Sequence, residues 1–136
     1  MNQYIHPTKQ QAKDFFRQFQ GKGKVSMLNL LKFRAEADYS QSPQLAPETP
    51  VSGNAAYERY MQAIGSEIKK SGAQVRFMGP CGDFVIGPLE ESWDLMLVVE
   101  YPSVEAFMAF SQSDAYQQNA GHRTAALADS RLLPIG

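Results

Sequence analysis

The sequence is poor in the residues that staple or charge a fold: one cysteine, Cys81, two histidines, and no run of basic residues longer than Lys69-Lys70. A lone cysteine excludes an intrachain disulfide, so stability has to come from burying apolar surface, and a reducing compartment suits the chain. With 13 Lys+Arg against 14 Asp+Glu and a net charge of −1, there is no electrostatic footprint for nucleic acid. No 18 consecutive apolar residues occur, and the opening MNQYIHPTKQQ has neither a basic start nor an apolar core. The expectation is an untargeted cytoplasmic protein without a membrane span. Several chemistries lack their parts. There is no GxSxG elbow, and Gly21-Lys22-Gly23-Lys24 precedes a strand pattern where a phosphate loop would follow one. No HxxxH occurs, so no metal site is expected, and a single histidine specifies no haem. No cofactor is expected.

What is present fits one compact domain: 136 residues, 43% of them hydrophobic. Thr8 and Gln11 have capping-box spacing ahead of Ala12, Phe15, Phe16 and Phe19, which recur as one face of a short helix. Residues 1–22 are read as an N-terminal helical extension and residues 23–136 as a single domain. Val25, Met27, Leu31 and Phe33 share one side of a strand with Asn29, while Leu28 and Leu30 occupy the other, so neither side is suited to water. Residues 35–53 carry Pro43, Pro47 and Pro50 without usable periodicity, and read either as a cover over a site or as a surface insertion.

Tyr57, Tyr60, Met61, Ile64 and Ile68 then mark a long helix stopped by Gly72. A strand at Val75 and Phe77 breaks at Gly79-Pro80-Cys81-Gly82 and is expected to resume at Phe84-Val85-Ile86. Residues 93–101 give the clearest strand, apolar on both sides. Ser103 caps a second main helix, a shorter helical turn runs from Ser113 to Asn119, a further one follows Gly121, and residues 131–135 close the chain as an edge strand.

The order strand, helix, strand, strand, helix, strand is that of a ferredoxin-like α+β sandwich, the split βαβ (βαββαβ) arrangement with one antiparallel sheet. Two helices cover only one sheet face. Leu28, Leu30, Met96 and Val98 put apolar groups on the other, and a soluble protein rarely leaves such a patch wet. A symmetric homodimer, sheet face to sheet face, is the economical solution.

The segments MLNLLKF (27–33), AYERY (56–60), FVIGP (84–88), WDLMLVVEYPS (93–103), AY (115–116) and HRTAALADSRL (122–132) together resemble the DUF1330 family. That family belongs to the dimeric α+β barrel superfamily, so the resemblance implies a ferredoxin-like subunit paired with its twin. It implies little about chemistry. The family has no assigned function, and the superfamily spans cofactor-independent monooxygenases, muconolactone-type isomerases, decarboxylases and haem enzymes.

The residues themselves offer a few candidates. Asn29 interrupts an apolar strand face, either to orient a ligand oxygen or to bond a neighbouring strand. His122 is the one candidate general base with a near-neutral intrinsic pKa outside the terminal segment, or it is a structural cap. Arg123 or Arg131 offers a fork for a carboxylate, whereas Arg131 with Asp129 equally makes a structural pair. Tyr57, Tyr60 and Trp93 are candidate pocket walls or ordinary core. Two functions follow. One is a cofactor-independent enzyme acting on a small carbonyl- or carboxylate-bearing molecule. The other is a non-catalytic small-molecule-binding or stress-associated homodimer.

Overall fold

A computed structural model describes residues 3–136; Met1 and Asn2 of the N-terminal extension lie outside the described residues. The chain runs α1 (Lys9–Phe19), β1 (Val25–Phe33), α2 (Gly53–Lys70), β2 (Gln74–Pro80), β3 (Leu95–Tyr101), α3 (Val104–Ser111), α4 (Asp114–Ala126) and β4 (Leu127–Ile135), with a 3-10 turn at Pro43–Leu45. The four strands form one sheet in the order β2-β3-β1-β4, every pair antiparallel. This is the ferredoxin-like α+β fold, with the expected helix preceding it.

Local chemistry sets the boundaries. Thr8 and Gln11 close a reciprocal capping box on α1, and the hydroxyls of Ser52, Ser103 and Ser113 accept from the first-turn amides of α2, α3 and α4. Gly72, at φ +80°, turns the chain out of α2 in the left-handed region that side chains avoid. Two expectations are corrected. Residues 81–94 form an irregular loop, so Phe84-Val85-Ile86 is no strand, because nothing in the sheet lies beside it to take its backbone hydrogen bonds. The last helix runs unbroken through Gly121, and the final strand starts at Leu127, directly off that helix.

The sheet has one dry side. Val25, Met27, Leu31, Leu97, Val99 and Tyr101 are buried there beneath Tyr57, Tyr60, Ile64 and Ile68 of α2, Val104 and Phe110 of α3, and Ala125 and Ala126 of α4. The register puts Leu28, Val98, Phe77 and Leu133 together on the opposite side, followed by Leu30 with Met96. No helix among the described residues covers that side: Phe77 and Leu133 are each 58% exposed and Ile135 is 44% exposed. The apolar second face read from the strand pattern is therefore present and open in the single chain.

Residues 35–52 are docked on the helical layer. The amides of Arg34 and Asp38 donate to the carbonyls of Ala126 and Ala125 at the end of α4, Ala37 donates to Val51, and Tyr39 is buried. The loop returns to α2 through Gly53, whose amide donates to Arg34 O at 3.0 Å. A Cβ at Gly53 would collide with the carbonyl oxygens of Arg34 and Ala126. Backbone cannot yield as a flexible side chain does, so Gly53→Ala is expected to destabilise the fold by about 1–3 kcal/mol. Urea unfolding would read this as a lowered midpoint. Gln41→Ala, at an exposed residue, should leave the midpoint unchanged.

Candidate functional site

Consecutive residues of α4 point about 100° apart, and this divides the polar cluster expected near the C-terminus. His122 turns to the docked loop. Its Nδ1 lies 2.7 Å from the Tyr39 hydroxyl, and the two rings meet edge to face. Gly121 lets the loop approach, since a Cβ there would run into Ser42 and Leu45. Burial lowers the pKa of His122 below its ordinary value, and the nearby Arg59 charge adds to this. Arg123 turns the other way. It donates to Ile5 O at 2.8 Å and reaches Ser130 Oγ at 3.5 Å.

Asp129 and Arg131 stay together on β4. Asp129 accepts from Arg131 at 2.7 Å and from the amides of Tyr4 and Ser130. Burial works to raise its pKa, but these donors outweigh it and hold the carboxyl below its usual value. The Arg131 guanidinium lies over two aromatic rings, 4.8 Å from the centre of Tyr4 and 4.9 Å from that of Trp93. Trp93 is buried and donates its indole N–H to Glu91 at 3.0 Å. These contacts clamp residues 4–5 to β4 and α4, and Arg131 has little freedom left to meet a ligand. Asn29 faces the helices between Met27 and Leu31. Its amide nitrogen donates to Met27 O at 3.2 Å and Leu97 O at 3.4 Å, leaving Oδ1 without a partner among the described residues. Asn29 and His122 share no hydrogen bond and no common partner.

The most unusual chemistry lies among the tyrosines. Phe33, Tyr57, Tyr60, Tyr116, Phe110, Tyr101 and Phe107 form a continuous series of ring contacts, with centroids 5.1 to 6.4 Å apart. Tyr57, Tyr60 and Tyr101 are buried, yet among the described residues none of their hydroxyls, nor that of Tyr116, hydrogen-bonds to a protein group. Only Arg34 Nε is both sealed from solvent and unpartnered. The tyrosine oxygens therefore open on space that water or a ligand reaches. Burial pushes the Tyr57 pKa up to about 12, with the Arg123 charge pulling it down and Tyr116 pushing it up. Tyr60 and Tyr101 are raised for the same leading reason, and Arg123 also acts on Tyr60. At neutral pH these hydroxyls are uncharged donors, and the Arg123 charge acts on those of Tyr57 and Tyr60, an arrangement suited to receiving an oxyanion or carbonyl oxygen.

Sequence reading named Tyr57, Tyr60 and Arg123 but passed over Tyr101 and Tyr116. Tyr101 carries a signal, as it ends the dry row of β3; Tyr116, on a helix of weak amphipathicity, carries none. Among the described residues no three of His, Cys, Asp and Glu come together as a metal site would need. No described helix is long and apolar enough to cross a membrane.

Residues 47–134 match DUF1330, a domain of unknown function. The chain belongs to this family. This DUF1330 chain is similar to two crystal structures of the RPA0582 protein of Rhodopseudomonas palustris, itself of unknown function. The methylated protein is 32% identical, with a TM-score of 0.88 over 99% of this chain and 95% of that one. The other structure is 33% identical, with a TM-score of 0.86 over 98% and 96%. A Caulobacter crescentus protein described as a candidate antibiotic biosynthesis monooxygenase shares the fold at 11% identity, with a TM-score of 0.54 over 90% of this chain and 95% of that one. No curated protein matches the sequence.

The His122 contact sets a pH dependence. An imidazole that binds its proton more weakly in the folded state gives stability that is full above its unfolded pKa and is lost as pH falls through the folded value. His6, lowered by burial and by Arg123, acts in the same direction. Urea midpoints should therefore fall between about pH 7.5 and about pH 5, and His122→Gln should flatten part of that decline. Tyr39→Phe, which removes the hydroxyl partner, should cost about 1 kcal/mol at neutral pH.

Proposed function

We propose that this DUF1330 protein is a cytoplasmic homodimer, closed through its open sheet face, that binds a small carbonyl- or carboxylate-bearing molecule against the tyrosine hydroxyls of each subunit. The observation that carries the reading is the set of hydroxyls on the buried Tyr57, Tyr60 and Tyr101 rings, without a protein partner among the described residues yet open to solvent, with the Arg123 charge acting on the first two. A ligand oxygen entering from that side would replace water and accept from these donors. Tyr57, Tyr60 and Tyr101 would donate to that oxygen, and Arg123 would supply the complementary charge.

Binding is favoured over catalysis by the placement of the one candidate base. His122 is engaged by Tyr39 on the loop side of α4, while the tyrosines respond to Arg123. The dimer is supported by Leu28, Leu30, Met96 and Val98, half-buried in the single chain, and by the exposed Phe77 and Leu133, whose remaining apolar area would stabilise the pair by about 25 cal/mol per Å² buried. A Bacteroides fragilis protein of ferredoxin-like fold is described as dimeric, at 14% identity and a TM-score of 0.50 over 86% of this chain and 97% of that one.

Calorimetric titration with a panel of small carboxylates and dicarbonyl compounds tests the ligand. Tyr60→Phe and Arg123→Met should each weaken a hit by roughly ten- to a hundredfold, the loss expected for a hydrogen bond to a charged group. His122→Ala should leave it within about twofold, as expected for a residue bonded elsewhere. A hit insensitive to Tyr60 and Arg123 would place the ligand elsewhere. Sedimentation tests the dimer: Leu28→Asp with Val98→Asp should sharply weaken self-association while the chain stays folded.

A further inference from the structure

Residues 81–94 project from the sheet as an arm with an apolar tip. Val85 is 99% exposed, Ile86 93% and Leu89 97%. Residues 82–89 make a single backbone hydrogen bond among the described residues, Pro88 accepting from Glu91. Asp83 and Glu90 flank the tip, and neither forms an ion pair among the described residues. A second unsatisfied surface lies between α1 and α3. There Ala12, Phe16 and Met108 line an apolar groove of about 400 Å³, with Lys13 and Arg17 on its rim. Lys9, Lys13 and Arg17 follow one another at single-turn spacing on α1. Like charges so spaced repel, and no described carboxylate pairs with them.

The two surfaces are complementary in kind: an apolar tip between two carboxylates, and an apolar groove beside two cations. They do not meet within one chain. The arm leaves the sheet at Pro80 and Leu95, the Leu31 end of β1, whereas α1 and α3 are tied to the Val25 and Tyr101 end through the Phe15–Phe107 and Tyr101–Phe107 contacts. Seven residues of β3 separate these ends by about 20 Å. We propose that the arm of one chain docks in the α1–α3 groove of a second copy, placing Val85, Ile86 and Leu89 against Phe16 and Met108, and Asp83 and Glu90 against Lys13 and Arg17. The contact is separate from the sheet-face pairing. Its ionic part weakens as salt screens the rim.

Sedimentation of the full chain over a concentration series is the test, with cross-linking to locate the contact. Val85→Ser, Ile86→Ser and Leu89→Ser combined change side chains that touch almost nothing in the single chain, and should weaken self-association at least tenfold with the fold intact. Lys13→Glu with Arg17→Glu should weaken it comparably, and Asp83→Lys with Glu90→Lys in the same chain should restore it. In a Cys81→Ser background, mixing a Leu89→Cys chain with a Met108→Cys chain should yield the mixed disulfide. That disulfide should still form when both chains also carry Leu28→Asp and Val98→Asp, so a failure of the sheet-face dimer is read separately. Self-association unmoved by the triple serine variant, a charge reversal without rescue, or absence of the mixed disulfide would overturn the proposal.

Discussion

A four-stranded sheet with all its helices on one side has a face it cannot dry by itself, and the rest of this structure is arranged around that shortage. Val25, Met27 and Leu31 have a helical layer to enter; Leu28, Val98, Phe77 and Leu133 do not. The helices cannot be shared between the faces, because the connections return each of them to the same side. In the single chain that second face stays open, with Phe77 and Leu133 exposed, and an apolar patch of this kind is the usual mark of an interaction surface.

The same economy governs the helical side. The loop after β1 is laid along the end of α4, with Tyr39 and His122 sealing the join, and residues 4–5 are held by Asp129, Ser130, Arg123 and Arg131. Most polar groups singled out in the chain are used in these joins. The aromatic layer beneath is different. Its rings are satisfied by one another, but the hydroxyls of Tyr57, Tyr60 and Tyr101 find no partner among the described residues. A layer that needed only to be hydrophobic would serve as well with phenylalanine. Tyrosine at these places adds hydroxyl donors open to solvent, to which a bound oxygen would be complementary.

Fold and site were unequally legible in the sequence. Periodicities of 3.6 and 2 placed α1, α2, α3 and the first three strands, α4 was read as two pieces and the last strand four residues short, and the caps at Thr8 and Ser103 marked starts that hold in three dimensions. Two local readings failed for one reason. Phe84-Val85-Ile86 has strand composition but no neighbour, and Gly121 has the look of a helix break but lies where α4 needs a small residue against Ser42. Composition records what a segment tolerates, whereas its state is decided by what lies beside it.

The sequence alone determined the order of elements and the two-sided apolar strands, because these depend on spacing along one chain. Tertiary structure decided which polar residues act together. His122 and Arg123 are neighbours in sequence, yet one turn angle of α4 sends the first to Tyr39 and the second to Ile5 and Ser130. Tyr101 and Tyr116, on different elements, come into range of one another. Direction and proximity between elements are set by packing, and no one-dimensional pattern carries them.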